Sequence, residues 1–142
     1  YVTVAREEAA RQGLANRVSY QVGDFVSLAP SIAPADLVVL DRVVCCYPDM
    51  NALVRQSVAR ARLRYGLVYP RDAWWIRAGG ATLNGLARLA RRRVRAYVHR
   101  NAEVDAIVRG AGFVPTLRRS NLFWRVAVYA RADLLEPMDR RA

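Results

Sequence analysis

The sequence contains no lysine: all 23 of its basic residues are arginine, and against 12 acidic residues they give a formal net charge of +11. Such a balance points first to nucleic acid. An exclusive use of Arg beside abundant Ala, however, reads as a substitution bias acting on the whole genome, and the arginines are scattered along the chain. Only "ARLARRRVRAYVHR", residues 87–100, is a dense run, and a charge run on a helix is usually a solvated face. Long apolar runs are also missing. The apolar stretches end after about six residues at an Arg, Asp or Pro, well short of the roughly 20 that cross a bilayer. No charged start, apolar middle and small-residue cleavage site marks a secretory signal, so no membrane span and a cytoplasmic location are expected. Cysteine is scarce. Cys45 and Cys46 are adjacent, a spacing that strains any bridge between them, and two are too few for a disulfide framework or a four-ligand zinc site. With one histidine, His99, and no ligand cluster, no metal site is expected.

What remains is ordinary for a single globular domain: 142 residues, 54% hydrophobic and 25% charged, enough to bury a core. "YVTVAREEAARQGLANR" has a helical pattern with Val4, Ala9, Ala10 and Leu14 apolar and Gly13 as a stop. "RVSYQVGDF" alternates Val18, Tyr20 and Val22 with polar neighbours, which predicts a strand ending at Gly23-Asp24. "LAPSIAPAD" reads as loop, and "DLVVL" (36–40) as a strand buried on both faces. "NALVRQSVARARLR" (51–64) reads as a helix with Leu53, Val54, Ser57 and Val58 on one face, followed by a short strand "YGLVYP". This alternation predicts an α/β fold with a mostly parallel sheet. Residues 71–98 break the rhythm with two tryptophans, a flexible "AGGA" and a basic helix. A helix "NAEVDAIVRGAGF" follows, with Asn101 as N-cap, Glu103 and Asp105 in its first turn and Gly110 and Gly112 at its end. "VPTLRRSN" and "FWRVAVYAR" then form an antiparallel hairpin turning at Ser120-Asn121.

A strand ending in Gly-Asp-Phe, an Ala/Pro-rich loop, an Asp-started apolar strand with a Tyr-Pro-Asp turn, and a helix ending in Ala-Gly-Phe before a hairpin follow one another in order. This succession resembles class I S-adenosylmethionine-dependent methyltransferases, over about Ala5 to Arg131. The resemblance implies a Rossmann-like sheet, mostly parallel with a C-terminal antiparallel hairpin, in one partial domain spanning 1–142, with a helical substrate-side insert at about 71–98. The family's glycine-rich loop after strand 1 and the acidic residue ending strand 2 have no counterpart in these residues. The chain therefore reads as a C-terminal fragment that lacks strands 1 and 2, with an N-terminal segment of the same protein as its missing partner.

The same resemblance implies S-adenosylmethionine as cofactor and a small-molecule acceptor methylated on O or N. Gly23, Asp24 and Phe25 match the family's adenine-side residues: Asp24 as acceptor from the exocyclic amine, Phe25 as the packing neighbour. Asp24 reads equally as a cap after the strand. Asp41, Arg42 and Val43, at the carboxyl end of strand 4, match the position beside the methionine part of the cofactor; the plain alternative is a solvated Asp-Arg pair. Where many relatives carry His or Asn next, this chain has Val43, Val44, Cys45 and Cys46, which leaves acid-base chemistry unassigned between Asp41 and His99. Tyr47, Arg71, Trp74, Trp75, Arg77 and Asn84 are the acceptor-side candidates, with the tryptophans alternatively core anchors. The alternative function is an Arg-rich RNA-binding module or an RNA methyltransferase.

Overall fold

A computed structural model describes residues 1–91 and 97–135. In chain order, helices α1 (Val2–Arg11) and α2 (Phe25–Leu28) are followed by strand β1 (Ala35–Asp41), helix α3 (Met50–Val58), strand β2 (Ala61–Pro70), helices α4 (Trp74–Leu89) and α5 (Asn101–Gly110), and strands β3 (Phe113–Ser120) and β4 (Trp124–Arg131). The strands form one sheet in the order β1-β2-β4-β3. β1 and β2 are parallel, whereas β4 runs antiparallel to both β2 and β3.

The core lies on one face of this sheet. α3 buries Met50, Leu53, Val54, Ser57 and Val58, the i, i+3, i+4, i+7, i+8 spacing of a helix stripe. α5 adds Val104 and Val108, and the sheet supplies Leu40, Tyr65, Leu67, Phe113, Ala127 and Tyr129. Burying each large side chain contributes roughly 1.5–3 kcal/mol. The Ser57 and Tyr65 hydroxyls meet at 2.6 Å inside this core, so the one polar position on the α3 stripe is satisfied. Both predicted glycine stops hold. Gly13 and Gly112 have φ of +70° and +85°, and after α1 the Gly13 and Leu14 N–H groups return to the Ala10 and Ala9 carbonyls at 3.0 and 2.7 Å, closing the helix in a Schellman motif.

Four local expectations give way. Residues 18–22 form no strand: alternation makes a strand only where a neighbour completes the ladder, and no described strand lies beside them. The 51–64 helix ends at Val58, and β2 begins at Ala61, because residues 61–70 pair with β1 and β4. β1 is not buried on both faces. Leu40 is buried, but Leu37 and Val39 on the opposite face are 57% and 53% exposed. Finally, Asn101 is not the cap of α5; that position belongs to Arg100. With its amide oriented to satisfy both contacts, Asn101 donates to the Pro70 carbonyl at 3.3 Å and accepts from the Asp72 N–H at 3.1 Å, tying α5 to the end of β2. The predicted C-terminal hairpin is present, its connection held by Asn121 Oδ1, which accepts from the Phe123 and Trp124 N–H groups at 3.0 and 2.7 Å.

Candidate functional site

The carboxyl ends of β1 and β2 carry most of the sequence-selected residues. At Asp41 the strand stops because Arg42 adopts φ +55°, a left-handed conformation unusual for a side-chain-bearing residue. Its N–H still donates to the Val68 carbonyl at 2.8 Å, so the reversal happens without losing the last ladder bond. The Arg42 guanidinium lies 3.2 Å from Asp41 Oδ1, both side chains being more than half exposed, and 5.7 Å from the centre of the Trp124 ring. An exposed pair of this kind contributes little by itself; the indole face adds the second hold on the guanidinium. Val43, also exposed, leads into the tight turn Val44–Cys46.

The cysteines hang from this turn. The Cys45 and Cys46 thiols point to the Arg42 carbonyl at 3.4 and 3.9 Å, and their sulfurs are 3.7 Å apart. Burial, reinforced by the neighbouring Cys46, pushes the Cys45 thiol up to about 11. It is therefore protonated at neutral pH and a poor nucleophile. Cys45 is half-buried and Cys46 exposed. Among the described residues no group of three or more His, Cys, Asp or Glu is placed to hold a metal ion.

Asp24 performs the capping role and more. Its Oδ2 accepts from the Ser27 N–H at 3.3 Å and the Ser27 hydroxyl at 2.9 Å, starting α2, while Oδ1 accepts from the Tyr47 phenol at 2.7 Å. The Tyr47 bond is the main cause holding the Asp24 carboxyl below its ordinary value, with the Ser27 hydroxyl second. Phe25 packs half-buried against the core. Gly23 sits where an added Cβ would come within 2.8 Å of Leu28 Cδ1, so a side chain there would push the end of the Leu28 side chain aside.

The chain returns to this place from far along the sequence. The Tyr97 N–H donates to the Cys45 carbonyl at 2.7 Å. Two residues on, His99 Nε2 donates to the Tyr47 carbonyl at 3.2 Å, and the imidazole stacks on Tyr97 with centroids 5.9 Å apart and planes 17° from parallel. Because a carbonyl only accepts, Nε2 carries the proton, and in the neutral ring Nδ1 is the acceptor. Asp24, Tyr47 and His99 are thus linked through one residue.

The remaining acceptor-side candidates divide. Arg71 is committed to the hairpin connection: its N–H meets the Phe123 carbonyl at 2.9 Å and its guanidinium the Asn121 carbonyl at 3.2 Å. Trp75 packs edge-on against Phe123 with centroids 5.4 Å apart. Arg77 lies 3.6 Å from Asp72. Trp74 is 75% exposed, which removes it from the core, and Asn84 is half-buried on α4. The centre of the basic run, Arg92, Arg93 and Arg95, lies outside the described residues, as does that part of the 71–98 insert. Sequence reasoning missed Tyr97, Phe123 and Trp124. Their signal is tertiary: Trp124 reaches Arg42 only because it pairs with Pro70 across β2 and β4.

No family model and no curated protein matches the sequence. Solved structures do match the fold. Magnesium protoporphyrin IX methyltransferase from Synechocystis PCC 6803, with bound SAH, superposes with a TM-score of 0.61 at 20% identity over 84% of this chain and 57% of its own. An O-methyltransferase family protein from Burkholderia thailandensis gives 0.67 at 17% identity, over 90% and 40%. An O-methyltransferase family 2 protein from Planctomyces limnophilus, in complex with apigenin, gives 0.68 at 16%, over 92% and 39%. The chain thus has the α/β fold of these methyltransferases, and it spans from about two-fifths to just over half the length of each.

Proposed function

We propose that this chain is the C-terminal part of an S-adenosylmethionine-dependent methyltransferase that modifies an oxygen or nitrogen of a small molecule. The observation carrying this reading is the grouping of Asp24, Tyr47 and His99 beside the Asp41-Arg42 turn, at the carboxyl ends of the parallel strands, where open α/β sheets bind ligands. The residues fit the cofactor. A carboxylate has about four acceptor sites, and Asp24 uses three in its contacts with Ser27 and Tyr47, leaving one for an exocyclic amine. Arg42 and Asp41 offer charges of both signs for an amino-acid moiety. S-adenosylmethionine brings a strongly electrophilic methyl group, so the protein's part is alignment and, where the acceptor needs it, proton removal. His99 suits the second task through Nδ1, its Nε2–H being held by Tyr47. On the acceptor side this reading keeps Tyr47 and the exposed Trp74, with Arg71, Trp75 and Arg77 holding the hairpin connection and the start of α4 in place. In this reading the glycine-rich loop and ribose-binding carboxylate belong to upstream residues that join the sheet beside β1.

Calorimetric titration of S-adenosylmethionine into this chain and into a version carrying upstream sequence tests the proposal. Tight binding is expected in the extended protein and weak binding in the shorter one. In the extended protein Asp24→Ala should weaken binding about tenfold or more, from loss of a hydrogen-bond acceptor. An extended protein that does not bind the cofactor rules the reading out.

A further inference from the structure

Side chains alternate between the two faces of a strand. Along β4, Ala127 and Tyr129 enter the core with Val104 and Val108 of α5, so Arg125 stands on their face, and Trp124, which reaches Arg42, on the other. Between the start of α5 and this face lies a cavity of about 240 Å³, lined among others by Tyr69, Asp105, Arg118 and Arg125. It is far larger than the roughly 30 Å³ of one water and smaller than the roughly 300 Å³ at which pockets for drug-sized molecules begin. Its charge is positive. Asp105, the one carboxylate among its described lining residues, already accepts from both Arg109 and Arg118. Arg125 is half-buried and makes no ion pair among the described residues, although a charge withdrawn from water is normally paired. Its contact is the hydroxyl of Tyr69, a residue only 2% exposed, whose phenol burial pushes up and Arg125 pulls back. Arginine only donates, so the Tyr69 oxygen accepts from it, and the buried O–H is left to donate into the cavity.

We propose that this cavity binds a small oxyanion, a phosphate or carboxylate group, held by the Arg125 guanidinium with the Tyr69 phenol as second donor. The planar fork of arginine matches two oxygens of such a group, and the excess of guanidiniums over carboxylates disfavours a cation. α5 adds to the same sign: it begins without a side-chain cap, and Ala102 of its first turn lines the cavity, at the positive end of the helix dipole. The cavity lies on the face of the sheet opposite the Arg42–Trp124 contact, and its occupancy is independent of the methyltransferase reading.

Titration of the whole chain with sodium phosphate at constant ionic strength, followed by amide NMR, tests it. The Ala102 and Arg125 amides should shift and saturate, while that of Val54 in α3 stays in place. Sodium acetate titrated in the same way separates a cavity that takes phosphate from one that takes carboxylate, and saturation by either supports the proposal. Arg125→Gln should weaken binding about tenfold or more. Arg125→Lys, which keeps the charge and loses the fork, and Tyr69→Phe, which keeps the ring in the core and loses the phenol, should each weaken it severalfold. These two milder variants keep the test decisive if the glutamine variant does not fold. Shifts that rise linearly with both anions would mean that the cavity holds only water, and the proposal falls. It falls equally if a folded Arg125→Gln chain, or both milder variants, bind as tightly as the parent.

Discussion

Tyr47 holds two functions in one side chain and its own peptide group: the phenol donates to Asp24 and the carbonyl receives His99. These can be separated. Tyr47→Phe removes the bond that does most to lower the Asp24 carboxyl while leaving the peptide carbonyl in place. The carboxyl resonance of Asp24, followed by NMR against pH, should then titrate closer to its ordinary value of 3.8, with the His99 ring unmoved. An unchanged Asp24 titration would show that Ser27 alone sets it. Arg42 is a similar case: its left-handed backbone is held by the bond to Val68, and its side chain by Asp41 and Trp124.

At the scale of elements, α5 is pinned to the hairpin by Asp105. That carboxylate accepts from Arg109 at 2.9 Å, from the Tyr129 phenol at 3.0 Å, and from Arg118. Partial burial works against its charge, but the bonds from Arg118 and Tyr129 outweigh this and hold the carboxyl below its ordinary 3.8. A carboxyl lowered by folding stabilises above its unfolded value, and that contribution is lost as pH falls through the folded one. Asp105→Asn should therefore cost about 1–2 kcal/mol near neutrality, and the gap in melting temperature between the two proteins should narrow below about pH 4. A gap independent of pH would mean that charge is not what links α5 to the hairpin. The sequence pattern puts Asp105 in the first turn of a helix, where, of the acidic residues, only Glu103 lies, and does not show Arg118 and Tyr129, its partners from β3 and β4. Where contacts are local the sequence was legible: the α3 stripe, the two glycine stops and the hairpin all follow from spacing. Residues 18–22 were misleading because alternation carries no information about whether a neighbour exists. The pattern alone makes β2 too short, because its first residues, Ala61 to Arg64, look helical until β1 claims them. Among the candidates, Asp24, Asp41, Arg42 and Tyr47 can be picked out from the order of motifs, whereas the contacts that Tyr97 and Trp124 make with this region follow only from the folded chain.

At the scale of the molecule, the two edges of the sheet differ. β3 is guarded: Pro115 lacks a donor, the register slips between Pro115 and Leu117, and Arg118 and Arg119 follow, all devices that discourage further pairing. β1 has Leu37, Val38, Val39 and Leu40 in succession, with Leu37 and Val39 open on the face away from α3. It is therefore the edge at which the proposed upstream strands would add. As it stands, this edge should promote self-association, and Val39→Lys should lower the concentration-dependent rise in sedimentation coefficient; an unaltered rise would place the contact elsewhere. The strand order has a consequence in time as well as in space. The hairpin of β3 and β4 closes across a few residues, but the pairing of β2 with β4 joins Tyr65 to Tyr129, roughly sixty positions apart, and such distant closure is slow. Folding should therefore wait on β4 reaching β2, and trimming Ala127 to Gly at that seam should slow refolding more than it hastens unfolding, a split that stopped-flow measurements over a range of denaturant would expose.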